Sequence, residues 1–172
     1  MNLINYIRDI PDFPKKGIIF KDITNLLNNK KAFAFTIQKL KNRIINKNIT
    51  HIIGVESRGF ILGSSLAILL NCGFVPIRKK GKLPHKVYSE SYNLEYGKDA
   101  LEIHKDALKP ESNVILIDDV LATGGTINAS IKLLKNFSIN IVECQFLLEI
   151  KTLQGNKKII ESNIDYYSII KV

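Results

Sequence analysis

At 172 residues the chain is long enough to bury one full hydrophobic core and too short for two ordinary ones, so a single domain over 1–172 is expected. Its 45% hydrophobic and 24% charged residues suit a globular protein in water, and the longest apolar candidate, Phe60 to Leu70, is broken by Gly63, Ser64 and Ser65, which argues against a membrane span. The net charge of +9 invites a nucleic-acid reading, but the lysines are scattered without interleaved aromatics, and a small polyanionic substrate explains a local basic patch equally well.

Leu3, Ile4, Ile7 and Ile10 recur at near-helical spacing and predict a short amphipathic helix, ended by Pro11 and Pro14. The stretch F-P-K-K-G-I-I-F-K-D-I-T then reads as a turn at Gly17 and a strand from Ile18 to Phe20, by itself an edge strand of the core. Phe33, Ile37, Leu40 and Ile44 mark one face of a helix between about Lys30 and Asn46. His51 to Val55 reads as a buried strand ending in E-S-R-G-F, and Phe60 to Asn71 as the helix that follows. Strand, polar turn and helix N-terminus form an anion site, where Arg58 offers two parallel N–H bonds to a pyrophosphate. An isolated arginine in a turn is, equally, an ordinary solvated surface residue.

Phe74 to Ile77 is a further strand, opening into R-K-K-G-K-L-P-H-K, a basic loop on the same side as the anion-binding turns. Val87, Ser89 and Ser91 alternate with Tyr88, Glu90 and Tyr92, the pattern of a hairpin arm, and Leu101 to His104 is another strand. Toward the end of the chain, Ile139 to Ile150 is a long β-type run, Gly155 to Ser162 a helical turn and Tyr166 to Ile170 a final strand. The start of the chain lacks a basic stretch followed by a long apolar core. Cys72, Cys144 and the histidines show no metal-ligand spacing, so a cytoplasmic protein with reduced thiols is expected.

The stretch that organises the chain is Val114 to Asn128, V-I-L-I-D-D-V-L-A-T-G-G-T-I-N. Val114 to Ile117 predict a strand buried on both faces that stops at Asp118 and Asp119, with helical spacing from Thr126 through Leu134. Thr123 to Thr126 would turn backbone N–H groups toward one point at a helix N-terminus, which favours a phosphate. The spacing is neither a Walker loop nor a dinucleotide fingerprint. Carboxylates accept from hydroxyls and amides donate to phosphate, so the pair describes a ribose 5-phosphate; the alternative is an ordinary buried strand with a polar glycine turn.

I-D-D-V-L-A-T-G-G-T resembles the phosphoribosyl-pyrophosphate signature of the type I phosphoribosyltransferases, in the form carried by the adenine phosphoribosyltransferases. The P-x-x-G-Φ-Φ-F-[KR]-D-I pattern (Φ apolar), E-S-R-G-F, R-K-x-G-K-L-P and Y-N-L-E-Y-G follow the same family in the same order. The resemblance implies an α/β fold with a mainly parallel central sheet flanked by helices, a hood at about 1–27 and a flexible lid at about 79–100. It places Ile19, Phe20, Lys21 and Val120 on adenine, Asp118 and Asp119 on the ribose, and Ala122, Thr123, Gly124, Gly125 and Thr126 on the 5′-phosphate. Ser57, Arg58, Gly59, Arg78 and Lys82 fall to the pyrophosphate, in a loop that often holds a cis non-proline peptide. Glu95, Tyr96, Arg58 and Lys82 are its catalytic candidates, Glu95 as base or proton relay. The implied reaction converts adenine and phosphoribosyl pyrophosphate to AMP and pyrophosphate in a homodimer, with Mg²⁺ bound through the substrate and without nucleic acid or membrane. A xanthine-type relative and a non-catalytic, DNA-binding regulator are the competing expectations.

Overall fold

The computed structural model describes residues 1–93 and 98–172. The chain opens with a 3-10 helical turn at Leu3–Tyr6, and β1 (Arg8–Pro11) then pairs antiparallel with β2 (Ile19–Asp22) as a separate two-stranded sheet. The helix expected through Ile10 therefore ends early, and the predicted core edge strand lies outside the main sheet. Register supplies the reason. Arg8 stands opposite Asp22 and Asp9 opposite Lys21, with ion pairs at 2.6 Å and 2.8 Å, and these cross-strand pairs override the apolar spacing. Asp22 also accepts the Thr24 amide at 2.9 Å and so starts α1 (Thr24–Asn28), a short helix with no clear sequence signal.

The α2 helix (Lys30–Ile44) is capped by Asn29, whose side chain accepts the Ala32 amide at 3.0 Å. It leads into β3 (His51–Val55), α3 (Arg58–Leu70), β4 (Gly73–Lys79), β5 (Val87–Asn93) and β6 (Lys98–His104). Then follow β7 (Asn113–Leu121), α4 (Gly125–Leu134), β8 (Asn140–Glu149), α5 (Lys157–Ile160) and β9 (Tyr166–Lys171). The main sheet has the order β5-β6-β4-β3-β7-β8-β9, parallel from β4 to β9, with the β5–β6 hairpin antiparallel at one edge. Much of the span read as a lid is thus regular sheet. Period-two alternation along β7 splits the core. Val114 and Leu116 pack with Ile127 and Ile131 of α4, while Ile115 and Ile117 pack with Leu62 and Leu66 of α3 and with α2. Among the described residues no helix is long and apolar enough to cross a membrane.

β7 does not stop at the acids. Its pairing with β3 ends at Ile117, but β8 stays alongside, with Val120 opposite Leu148 and Leu121 opposite Glu149. The two acids therefore lie within a strand that outruns its other neighbour, and one of its edges opens to a cleft.

The tie between α2 and β8 is polar. Glu143 of β8 is fully buried, 2.9 Å from Arg43 Nε, and accepts the Gln145 side-chain amide at 3.0 Å. Arg43→Met leaves that carboxylate with only the more distant Lys47 ammonium, 3.7 Å away, so a loss of about 2 kcal/mol is expected, read as a lower urea midpoint with an unchanged slope. Adding Glu143→Gln to the same chain should restore most of the loss.

Candidate active site

β3 and β7 are parallel neighbours, and each hands the chain to a helix, α3 or α4, at its carboxyl end. Two helix N-termini, whose first amides have no partner within the helix, therefore open on one edge of the sheet. A cleft of about 1020 Å³ lies there, between this edge and the β1–β2 sheet. Ile19, Phe20, Lys21, Ser57, Arg58, Asp118, Asp119, Val120, Ala122, Thr123, Gly125 and Thr126 all line it. Gly124 lines a smaller cup of about 60 Å³ behind the loop, shared with Asp118 and Phe146.

Arg58, the first residue of α3, spans the cleft. Its Nε stands 2.8 Å from Asp119 Oδ2, its Nη1 donates to the Lys21 carbonyl at 3.4 Å, and its guanidinium carbon lies 4.7 Å from the centre of the Phe20 ring. One planar cation thus joins the β1–β2 sheet to an acid on β7. The Lys21 ammonium is bound to Asp9, and its carbonyl accepts from Arg58. The Glu56–Ser57 peptide just before α3 is cis, as the family pattern implied.

The two acids do not ionise freely. Burial, then the neighbouring Asp119 charge, pushes the Asp118 carboxyl well above the ordinary carboxylate range; the Asp119 amide, donating to Asp118 Oδ1 at 2.9 Å, and Arg58 only partly offset this. Burial raises Asp119 as well, and the Arg58 charge opposes it. The Arg58 N–H is not aimed along the Asp119 contact, so Oδ2 has no hydrogen-bond donor among the described residues. An acceptor at the cleft wall without a donor suits a hydroxyl-bearing ligand.

The loop from Ala122 to Thr126 is shaped from behind. Gly124 has φ +74°, and a Cβ there would lie 2.5 Å from the Gly155 carbonyl oxygen. Gly155 is itself buried, and a Cβ on it would fall 2.7 Å from the Gly124 nitrogen and closer still to the Ala122 carbonyl. Two glycines back to back let the segment before α5 support the loop, a role that Gly155 gives no sign of in the sequence. Gly59 likewise lies under the site. It does not line the cleft, and its Cβ position is 2.9 Å from the Ile117 carbonyl, so it allows α3 to approach β7.

Of the basic run that follows β4's apolar residues, Lys79 lines the cleft. Neither Arg78 nor Lys82 lines the cleft. Arg78 Nε is 3.3 Å from Glu56 and its Nη1 donates to the Lys82 carbonyl at 3.4 Å, which makes it a brace for the turn. Burial works to raise the Glu56 carboxyl, but the Lys79 amide at 2.8 Å and Arg78 outweigh it and hold it below the ordinary range. Alternation along β4 sends Arg78 and Lys79 to opposite sides, and Lys79 is the one of the two that borders the cleft. Tyr92 and Asp99 of the hairpin, together with Ile150 and Leu153, complete the wall and were not singled out from sequence. Glu95 and Tyr96 lie outside the described residues.

The sequence matches the phosphoribosyl transferase domain over residues 21–171. The adenine phosphoribosyltransferase of Brachyspira hyodysenteriae is 53% identical over 92% of this chain and 94% of its own. The chain belongs to the adenine phosphoribosyltransferase family. Its fold is that of the type I phosphoribosyltransferases: the Thermoanaerobacter pseudethanolicus adenine phosphoribosyltransferase crystal structure superposes with a TM-score of 0.94 at 47% identity, covering 99% of this chain and 98% of that one. The Saccharomyces cerevisiae enzyme, complexed with D-2,5-dideoxy-2,5-imino-altritol 1,6-bisphosphate and adenine, superposes with a TM-score of 0.90 at 37% identity, covering 96% and 95%. In this adenine phosphoribosyltransferase family member the β1–β2 sheet, the E-S-R-G-F turn and the signature therefore meet in one cleft.

Two outcomes follow for stability. With a folded-state pKa above the unfolded value of about 4, Asp118 binds its proton more tightly when folded, so its charge penalty grows as pH rises through that window. Asp118→Asn should raise Tm at neutral pH, with the gain shrinking to nothing below a pH of about 4 in a calorimetric pH series. Gly155→Ala should cost about 1–3 kcal/mol in denaturant unfolding, because its Cβ meets backbone atoms that have no rotamer to change.

Proposed function

We propose that this chain transfers the phosphoribosyl group of phosphoribosyl pyrophosphate to N9 of adenine, releasing pyrophosphate and forming AMP, as a step of purine salvage in the cytoplasm. The observation that carries this reading is the convergence on one cleft of two helix N-termini, two acids and the Phe20–Lys21 wall. Ala122 to Thr126 take the 5′-phosphate, Asp118 and Asp119 accept from the ribose hydroxyls, and Ser57 and Arg58 take the diphosphate. Adenine lies against Ile19, Phe20 and Val120 with its polar edge toward the backbone at Lys21. Holding the sugar at both ends fixes C1 near N9, so much of the acceleration is positional. The C1–O bond to the diphosphate breaks as the C1–N9 bond forms, and Arg58 stabilises the negative charge gathering on the leaving group. Lys79 adds a cation at the cleft wall, beside Arg78 and Lys82, which the family resemblance places on the diphosphate. The proton released from the purine is assigned to Glu95 by family resemblance alone.

Mg²⁺ fits the donor set. Among the described residues no three His, Cys, Asp or Glu side chains gather as metal ligands, but Asp118 and Asp119 are hard oxygen donors and Asp119 Oδ2 has no donor of its own. A hydrated ion would arrive on substrate oxygens, with these two acids reached through the ribose hydroxyls and its water shell, and would supply charge neutralisation on the diphosphate. A homodimer is part of the same reading. Ile61 and Ile68 of α3 are 40% and 83% exposed, and a second copy would cover this apolar stripe.

Initial rates with adenine, hypoxanthine, guanine and xanthine test the assignment: adenine alone should support fast pyrophosphate release. A higher rate with xanthine or hypoxanthine would overturn it. The Asp118→Asn, Asp119→Asn double variant should lose at least about a hundredfold in kcat/KM, since two charge-assisted hydrogen bonds to the ribose go at once.

A further inference from the structure

The hairpin contributes a polar group to the cleft that the sequence pattern does not assign. Tyr88, Glu90 and Tyr92 project from one face of β5, and each meets α4 or its end. The Tyr88 ring stands edge-on to Phe137 at 5.4 Å, Glu90 pairs with Lys132 at 3.2 Å, and the Tyr92 hydroxyl approaches Thr126 in the first turn, both lining the same cleft. These ties dock the hairpin along the helix in one register, and they hold Tyr92 where α4 meets the phosphate loop. Across the strand pair Tyr92 faces Asp99, and its hydroxyl donates to Asp99 Oδ2 at 3.5 Å; Lys79 Nζ is 3.6 Å from the same oxygen. Both Tyr92 and Asp99 line the cleft.

The bond to Asp99 is at the outer limit of hydrogen-bond length, and the carboxylate shares its charge with Lys79. A phosphomonoester dianion seated beside Thr126 is a stronger acceptor at shorter range. We propose that Tyr92 is a further ligand of the 5′-phosphate, its hydroxyl turning from Asp99 to a phosphate oxygen held at Thr126. The inference rests on the phosphoribosyl reading of the cleft and extends recognition of the phosphate from the loop to the hairpin. Burial, with the Asp99 charge adding to it against Thr126, keeps the phenol above its ordinary range, so it carries a proton to donate.

Titration calorimetry of the wild type and Tyr92→Phe with AMP and with adenosine, which lacks only the phosphate, tests the assignment. The variant keeps the ring and its packing. Its Kd for AMP should rise about tenfold while that for adenosine stays within about twofold, because one hydrogen bond to a charged group is lost. Equal weakening of both ligands marks a merely structural tyrosine and overturns the inference, as does unchanged AMP affinity. A wild type that fails to prefer AMP over adenosine overturns the phosphate reading of the loop itself, and the inference with it.

Discussion

Arg58 is held on three sides at once: by Asp119 of β7, by the Phe20 ring and by the Lys21 carbonyl of β2. The β1–β2 sheet shares no hydrogen-bonded strand with the main sheet, so contacts of this kind set where the hood stands over the strand ends. A guanidinium suits the task because it is planar, always charged and tolerant of partial burial against an aromatic face. A lysine would supply the charge but neither the stacking nor the fork of donors. The residue assigned to the leaving group therefore also ties the β1–β2 sheet to β7 across the cleft.

The same region carries an electrostatic cost. Asp118 and Asp119 are adjacent and poorly solvated, and the Arg58 cation only partly offsets this, so both carboxyls titrate above their ordinary range. A fold selected only for stability would not place them there. The strain is tolerable because β7 runs past β3 while β8 continues beside it, which leaves the acids in a rigid strand with one side open to a ligand. Ribose hydroxyls donating to these oxygens would replace the solvation that folding removes.

Helix α4 is the second organising element. Its N-terminus opens on the cleft, Gly124 and Gly155 meet back to back behind its first turn, and the β5 face from Tyr88 to Tyr92 lies along its side. A phosphate loop is short and rich in glycine, so its shape depends on what presses on it. Here the supports come from segments about thirty residues away on either side in sequence, the hairpin before it and the turn before α5 after it.

Much of this was legible in the amino-acid sequence. Apolar runs at His51–Val55 and Val114–Ile117, each followed by a polar turn and a helical pattern, define strand–turn–helix units and place the anion sites at their ends, because periodicity and turn chemistry are local properties. The spacing of Leu3 to Ile10 misled for the same reason: it is local, and the ion pairs that extend Arg8–Pro11 come from across the sheet. Arg78 and Lys79 look alike in a basic run, and only the pleat of β4 decides which one reaches the cleft. The supporting role of Gly155, the clasp made by Arg58 and the approach of Tyr92 to Thr126 join residues distant in the chain, and no window of sequence contains both partners. Chain chemistry thus determined which groups are able to bind a phosphorylated sugar; three-dimensional packing decided which of them face it and which hold the others in place.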